Sequence, residues 1–114
     1  MKLFVFICNK PEKMEEILEG FLEVGITGAT IIDSLGMGRI LATEVPIFAG
    51  LRKSFFGAAT ASNKTIISVI REPEKIQAAY HIIEEACGSL DDPGVGIAFT
   101  LPVESVKGLM PETE

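Results

Sequence analysis

Two glycines and an arginine in the first half of the chain have the types and spacing of an anion-binding loop. They stand in the run Gly36-Met37-Gly38-Arg39. Glycine has no side chain to keep a phosphate away, and consecutive backbone N–H groups can form a concave anion site. Arg39 adds a planar set of donors at the same edge. The run therefore predicts contact with a small anionic ligand, and the simpler interpretation is a tight exit from a strand.

The sequence offers no Ser or Cys with a histidine that could act as its base, as an activated nucleophile requires. His81 is the single histidine, and it lies in a helical pattern off the apolar face, with no other His or Cys nearby. Cys8 and Cys87 have neither metal-binding nor redox spacing and are typical of small buried apolar residues. We therefore predict that the protein is not an enzyme, has no metal site and requires no cofactor.

A repeated order of elements would position the candidate residues. The tripeptide Pro-Glu-Lys occurs at 11–13 and again at 73–75, each time after an apolar run and before an amphipathic one. Each half of the chain then has the order strand, helix, strand. This duplication predicts an α+β domain with the ferredoxin-like split βαβ fold (βαββαβ), in which an antiparallel sheet carries two helices on one face.

The predicted strands are apolar or β-branched runs, and the predicted helices carry apolar residues at helical spacing. The four strands cover about 2–8, 28–34, 65–71 and 97–103, and the two helices cover about 11–24 and 73–87. Residues 40–63, between strands two and three, break both patterns. They predict a long mobile loop with room for a hairpin or a short helical turn. The C-terminal tail covers about 104–114 and is expected to fray from Lys107 onward.

Composition limits the classes of partner. The 114 residues (12.3 kDa) make a single domain, 1–114, and the net charge of −6 argues against nucleic-acid binding. Hydrophobic residues make up 47% and charged residues only 23%, so buried contacts between subunits are expected. The sequence contains neither a signal-peptide pattern nor an apolar run long enough for a membrane span, which predicts a cytoplasmic protein.

The predicted loop has the composition of a docking segment for a protein partner. Residues 39–63 carry three cations and one carboxylate, a formal charge of +2 in an acidic chain. Phenylalanines accompany the basic pair, and together these candidates are Phe48, Arg52, Lys53, Phe55 and Phe56. Apolar side chains beside cations suit a protein groove or a surface near a membrane. The simpler alternative is that the rings pack against their own protein and the cations are solvated.

The run Val24-Gly25-Ile26-Thr27-Gly28-Ala29-Thr30, followed by 36–39, resembles the nitrogen-regulatory P-II signalling proteins. It is similar to the family's helix-to-strand junction and to the Gly-x-Gly-Arg that opens its long mobile loop. The resemblance implies a homotrimer with ligand clefts between subunits, adenine nucleotides as effectors, and a long loop that reaches partner proteins.

Transferred to this chain, the resemblance implies a ligand-binding set that extends beyond the first motif. Thr30 matches a position that contacts the nucleotide base. The full set is Gly28, Thr30, Gly36, Met37, Gly38, Arg39, Gly94, Gly96 and Lys107. The effector would be ATP, ADP, AMP or a cyclic nucleotide, with or without Mg²⁺, and the protein target a membrane transporter or a metabolic enzyme.

The chain also departs from the family pattern. Where the family has a lysine after the second helix, this chain has 93–96 without a cation, and in place of two arginines near the end it has Lys107. The single tyrosine, Tyr80, lies on the second helix, so the loop has none to modify. Two alternatives stay open: an adaptor that works without nucleotide through its apolar loop, and a trimer resembling the metal-binding divalent-cation-tolerance proteins.

Overall fold

Alternating buried and exposed residues build a four-stranded sheet from the two halves of the chain. The computed structural model describes residues 1–44 and 62–109. The strands are β1 (Lys2–Cys8), β2 (Thr30–Ser34), β3 (Asn63–Ile70) and β4 (Gly96–Pro102). Their order across the sheet is β2-β3-β1-β4, and every neighbouring pair is antiparallel. The predicted ferredoxin-like α+β fold is confirmed.

Three helices accompany the sheet in the described part of the chain. They are α1 (Met14–Glu23), α2 (Met37–Glu44) and α3 (Pro73–Cys87). A 3-10 turn at Pro11–Lys13 leads into α1. The second predicted helix has the bounds of α3, because Pro73 suits a first helical position and Gly88, at φ +96°, ends the helix. None of these helices is long and apolar enough to cross a membrane.

The hydrophobic core lies between one face of the sheet and helices α1 and α3. Phe4 and Phe6 of β1 are fully buried there. Phe4 makes edge-to-face ring contacts with Phe21 of α1 at 6.2 Å and with Tyr80 of α3 at 5.2 Å between centroids. The helices approach closely at Gly20, where a β-carbon would lie 2.7 Å from Ile82 Cγ2. Tyr80 is partly buried and packs against this core.

The other face of the sheet is apolar and partly exposed. Register places Ile32, Thr65, Ile7 and Ile97 in one row across all four strands. Ile32 is 45% exposed and Ile97 57%. Leu101, paired with Leu3 on the same face, is 47% exposed. The fold thus has one face covered by its own helices and one that offers apolar surface to another molecule.

The structure differs from the sequence predictions mainly after β2. The loop predicted at 40–63, with room for a short helical turn, begins inside a helix, because α2 starts at Met37 and continues to Glu44. Leucine, alanine, arginine and glutamate in this stretch have high helix propensity, which outweighs the single internal Gly38. Residues 45–61 lie outside the described part. Smaller shifts move the start of β2 from 28 to Thr30 and of β3 from 65 to Asn63.

Candidate functional site

A cavity of about 550 Å³ lies at the end of the sheet where β2 begins and β3 ends. Its volume is in the range that small-molecule sites occupy. Residues 25–30, between α1 and β2, form one wall, residues 67–71 form a second, and Gly108 and Leu109 close a third side. The lining therefore contains Gly28 and Thr30, two of the residues that the sequence assigns to ligand binding.

The wall between α1 and β2 is held by hydrogen bonds at both ends. Gly25, at φ +88°, turns the chain out of α1, and the backbone N–H of Ile26 donates to Phe21 O at 2.8 Å. Lys75 Nζ donates to Gly25 O at 3.2 Å, and the buried Ser68 hydroxyl donates to Gly28 O. A β-carbon on Gly28 would meet no atom within 4 Å. The backbone is thus fixed while the space in front of Gly28 stays open.

Among the described residues, two cations line this cavity, and the sequence analysis missed both. Arg71 follows the end of β3 and is exposed. Lys75, in the first turns of α3, is largely buried, and its Nζ lies 3.5 Å from Glu72 Oε2. They were missed because they belong to the second half of the chain, whereas the motif that suggested a ligand lies in the first. Only the pairing of β2 with β3 brings the two segments together.

The glycine motif at 36–39 forms a helix start instead of the open loop expected for it. Gly36 precedes α2 and accepts a hydrogen bond from the N–H of Ile40 at 3.2 Å. Gly38 is buried, and Met37 is 73% exposed. The backbone of this segment is therefore that of a helix start and not of a loop, and helical hydrogen bonding engages the carbonyl oxygen of Gly36 but not the first N–H groups of the helix. Unpaired N–H groups in this segment are those of a helix N-terminus.

Neutral polar side chains gather at this second end of the sheet. The Ser34 hydroxyl contacts Asn63 Oδ1 and lies 2.8 Å from Thr65 Oγ1. Asn63, which is 6% exposed, donates through Nδ2 to Asn9 Oδ1 at 3.4 Å. Ser34 and Asn63 also line a second cavity, of about 660 Å³. Sequence reasoning missed this cluster. The signal that could have revealed it was the polar residue at or next to one end of three apolar strands, namely Asn9 after β1, Ser34 in β2 and Asn63 in β3.

The glycines after α3 have structural reasons of their own. Gly94 has φ +82° in the turn before β4. At Gly96 a β-carbon would lie 2.4 Å from the carbonyl oxygen of Ile7 and 2.8 Å from Phe6 Cε1. The backbone N–H of Asn9 donates to Val95 O at 3.2 Å, which continues the β1–β4 pairing. Packing therefore requires Gly96 whether or not a ligand binds.

The predicted ligand residues fall into two groups at opposite ends of the sheet. Thr30 pairs with Ile67 at the first cavity, and Ser34, just before the glycine motif, pairs with Asn63 at the second. Thr30 and Ser34 are four positions apart along an extended strand, a distance of about 13 Å. Lys107 is exposed and lies next to the Gly108–Leu109 side of the first cavity. One chain therefore does not join the two groups into a single site.

The described residues after β4 contact the rest of the fold. The backbone N–H of Val103 donates to Met1 O at 3.2 Å, and residues 108 and 109 contribute to the first cavity. The fraying expected from Lys107 onward stays a prediction, and 110–114 lie outside the described residues. The partner-docking residues Phe48, Arg52, Lys53, Phe55 and Phe56 also lie outside them.

The two cysteines are buried as predicted, and both are free. Burial raises the pKa of the Cys8 thiol, and it raises the pKa of Cys87 to about 12. Protonated thiols of this kind are poor nucleophiles. His81 is exposed on α3, with Nε2 2.9 Å from Glu85 Oε1. Across residues 1–44 and 62–109, no group of three or more His, Cys, Asp or Glu could hold a metal ion.

A known protein family matches almost the whole chain. A family model described as "Nitrogen regulatory protein P-II" matches residues 1–113. No curated protein matches the chain. The family match covers both cavities and both groups of predicted ligand residues.

Proposed function

The chain belongs to the nitrogen regulatory protein P-II family and is a P-II-like regulatory signalling protein; on this premise we propose that it senses a small anionic effector. The protein would act in the cytoplasm as a homotrimer without a catalytic step of its own. Its effector is an adenine nucleotide (ATP, ADP, AMP or a cyclic nucleotide, with or without Mg²⁺) or a related small anion. Binding changes the state of residues 40–63, and these act on a partner, a transporter or a metabolic enzyme.

The separation of the two ligand groups is the observation that carries this proposal. Thr30 and the first cavity lie at one end of β2, while Ser34 and the glycine motif lie at the other. Two copies that pack side by side can place the first end of one subunit against the second end of its neighbour. A cleft between subunits then contains both groups, which a single chain keeps about 13 Å apart.

The apolar face of the sheet supports the trimer. Ile97 and Leu101 are about half exposed in the described part of the chain, and both lie on the face of the sheet opposite α1 and α3. Burying such a face against other copies would remove apolar surface from water, at about 25 cal/mol per Å². Oligomers commonly use a large apolar patch in this way.

The mechanism would be a shift in the population of loop states. An effector can favour one conformation of the 40–63 segment only to the extent that it binds that conformation more tightly. Helix α2 begins at the glycine motif and continues into the 40–63 segment. Ligand contact at 36–39 would therefore change the conformation of the first residues of that segment. The partner would then recognise the favoured state through Phe48, Arg52, Lys53, Phe55 and Phe56.

A thermal-shift screen with ATP, ADP, AMP, cyclic AMP and 2-oxoglutarate, each with and without Mg²⁺, tests the effector. A ligand at a hundredfold excess over Kd stabilises the native state by about 2.7 kcal/mol, which is readily measured. No shift with any of these compounds would contradict nucleotide sensing and favour the adaptor alternative. Loss of partner capture in the double variant Phe55→Ser and Phe56→Ser would assign docking to the loop, and unchanged capture would oppose it.

Light scattering after size exclusion tests the trimer. We expect a mass three times the 12.3 kDa of one chain. Ile97→Glu should dissociate the trimer and abolish nucleotide binding, because it charges the uncovered face of the sheet. Leu22→Glu is the matched control, since Leu22 is 65% exposed on α1, on the helix side of the molecule. A monomeric wild-type protein that still binds nucleotide would refute the cleft between subunits.

A further inference from the structure

The described residues that line the first cavity include two cations and no carboxylate. Arg71 is exposed at the edge of the cavity, directly after β3. The side chain of Lys75 is 19% exposed, and its Nζ donates to Gly25 O at 3.2 Å and lies 3.5 Å from Glu72 Oε2. Glu72 offsets one of the two charges. The described part of the cavity is therefore positive, in a chain whose net charge is −6.

The segment after β4 brings the chain to this cavity. Gly108, at φ +87°, turns the backbone, and Leu109 lines the cavity together with both cations. Residues 110–114 continue from there with the sequence Met-Pro-Glu-Thr-Glu, which contains two carboxylates and no cation. An extended chain advances at most about 3.6 Å per residue, so Glu112 lies within about 11 Å of Leu109. The acidic residues therefore start within reach of the positive cavity.

We propose that residues 110–114 dock in the first cavity of their own chain, with their two carboxylates against Arg71 and Lys75. Guanidinium and ammonium groups both bind carboxylates through charge-assisted hydrogen bonds. The methionine and proline that precede the glutamates suit the apolar walls of the cavity, which include Ile26 and Ile67. Docking needs no effector, so this inference goes beyond the proposed function and does not depend on it.

The docked segment would occupy space that an effector in this cavity needs. Thr30 and the open space in front of Gly28 belong to the same cavity. An effector whose base contacts Thr30 would have to displace residues 110–114, and a change that releases this segment would tighten effector binding. This consequence, unlike the docking itself, rests on the proposed function.

Backbone order parameters from NMR relaxation of the full chain test the docking. The amides of 112–114 should have values near the 0.85 of rigid backbone in wild type and fall below about 0.6 in Arg71→Glu. The double variant Glu112→Lys and Glu114→Lys should show the same loss, and combining it with Arg71→Glu should restore part of the order. Lys13→Glu and Glu104→Lys change charge outside the described cavity lining and should leave 112–114 as in wild type. Low order parameters in wild type, or full order in both charge-reversal variants, would overturn the docking.

Calorimetric titration with adenosine tests the competition separately. Adenosine is neutral, so its binding does not respond directly to a change of charge. The double variant Glu112→Gln and Glu114→Gln should bind adenosine about three- to tenfold more tightly than wild type, because apparent affinity scales with the fraction of molecules whose cavity is open. Equal affinity would refute the competition. If neither protein binds adenosine or AMP, nucleotide sensing fails, while the order parameters still decide the docking.

Discussion

Replacing Gly96 by alanine should separate β4 from β1, whereas the same change at Gly28 should leave the fold intact. At Gly96 the added β-carbon would lie 2.4 Å from Ile7 O, a backbone atom that cannot rotate away. Gly96 also has φ +149°, a conformation that other residues rarely adopt. At Gly28 nothing lies within 4 Å of the added atom, and φ is not positive. Both residues belong to the same predicted ligand set. Comparing the two variants therefore distinguishes a glycine that strand packing requires from one that only ligand binding requires.

The size of the effect at Gly96 follows from two costs. Forcing a residue other than glycine into such a backbone conformation costs about 1–3 kcal/mol. Moving β4 away from the Ile7 carbonyl weakens one or two ladder hydrogen bonds, each worth about 1 kcal/mol. Together the loss is about 2–5 kcal/mol, a large part of the roughly 5–15 kcal/mol that stabilises a typical domain. The thermal midpoint should fall by about 10 °C or more.

Urea and thermal unfolding of three alanine variants check this reasoning. Gly88→Ala is the matched control, because Gly88 has φ +96° but open space around its β-carbon position. It should show the backbone cost alone, so the order of destabilisation is Gly96→Ala, then Gly88→Ala, then Gly28→Ala near zero. If Gly96→Ala costs no more than Gly88→Ala, close strand packing is not the reason for Gly96. Gly28→Val should fold normally and lose effector binding.

Three further predictions concern groups that hold the core and the first cavity. Burial raises the pKa of Cys87 to about 12 from 9.0, so the unfolded chain loses its thiol proton first, and stability should fall as pH rises above 9. The free energy of unfolding, measured with urea, should fall by up to about 1.4 kcal/mol per pH unit in this range. This dependence on pH should become flatter in Cys87→Ala, and an unchanged dependence would contradict the role of Cys87. Lys10→Met should lower the free energy of unfolding by about 1–2 kcal/mol in the same assay, because it removes the 2.8 Å hydrogen bond from Lys10 Nζ to Cys87 O at the end of α3. Equal stability would show that water replaces this hydrogen bond. Ser68→Ala should lower the free energy of unfolding by about 1 kcal/mol and weaken effector binding, because the buried hydroxyl donates a hydrogen bond to Gly28 O. If hydrogen exchange of the amides at 26–30 stays as slow as in wild type, Ser68 does not hold this segment in place.

Local patterns were sufficient for most of the elements. The apolar run at 2–8 becomes β1 without a shift, and the amphipathic run from Pro73 to the stop before Gly88 becomes α3. The duplicated Pro-Glu-Lys predicts the order of elements, because each copy starts a helical segment after a strand. These signals succeed because side-chain periodicity and helix ends depend on residues within a few positions of each other.

The segment at 36–39 shows where local reasoning fails. Its glycines indicate a loop, but the following Arg39 to Glu44 have the propensity to extend a helix back to Met37. A short segment with conflicting signals is decided by what it packs against, and Gly38 is buried in the structure. The sequence thus indicated where this segment lies but not that its backbone is helical.

The sequence by itself determined the ferredoxin-like order of strands and helices and the burial of Cys8 and Cys87. It also predicts Gly28 and Thr30 as ligand contacts, and both line the first cavity. Only the tertiary structure decided that Arg71 and Lys75 share a cavity with Gly28, and that Gly96 serves strand packing. The physical reason is distance along the chain. Residues forty or more positions apart meet only through strand register, which depends on the whole sheet and leaves no local pattern in either segment.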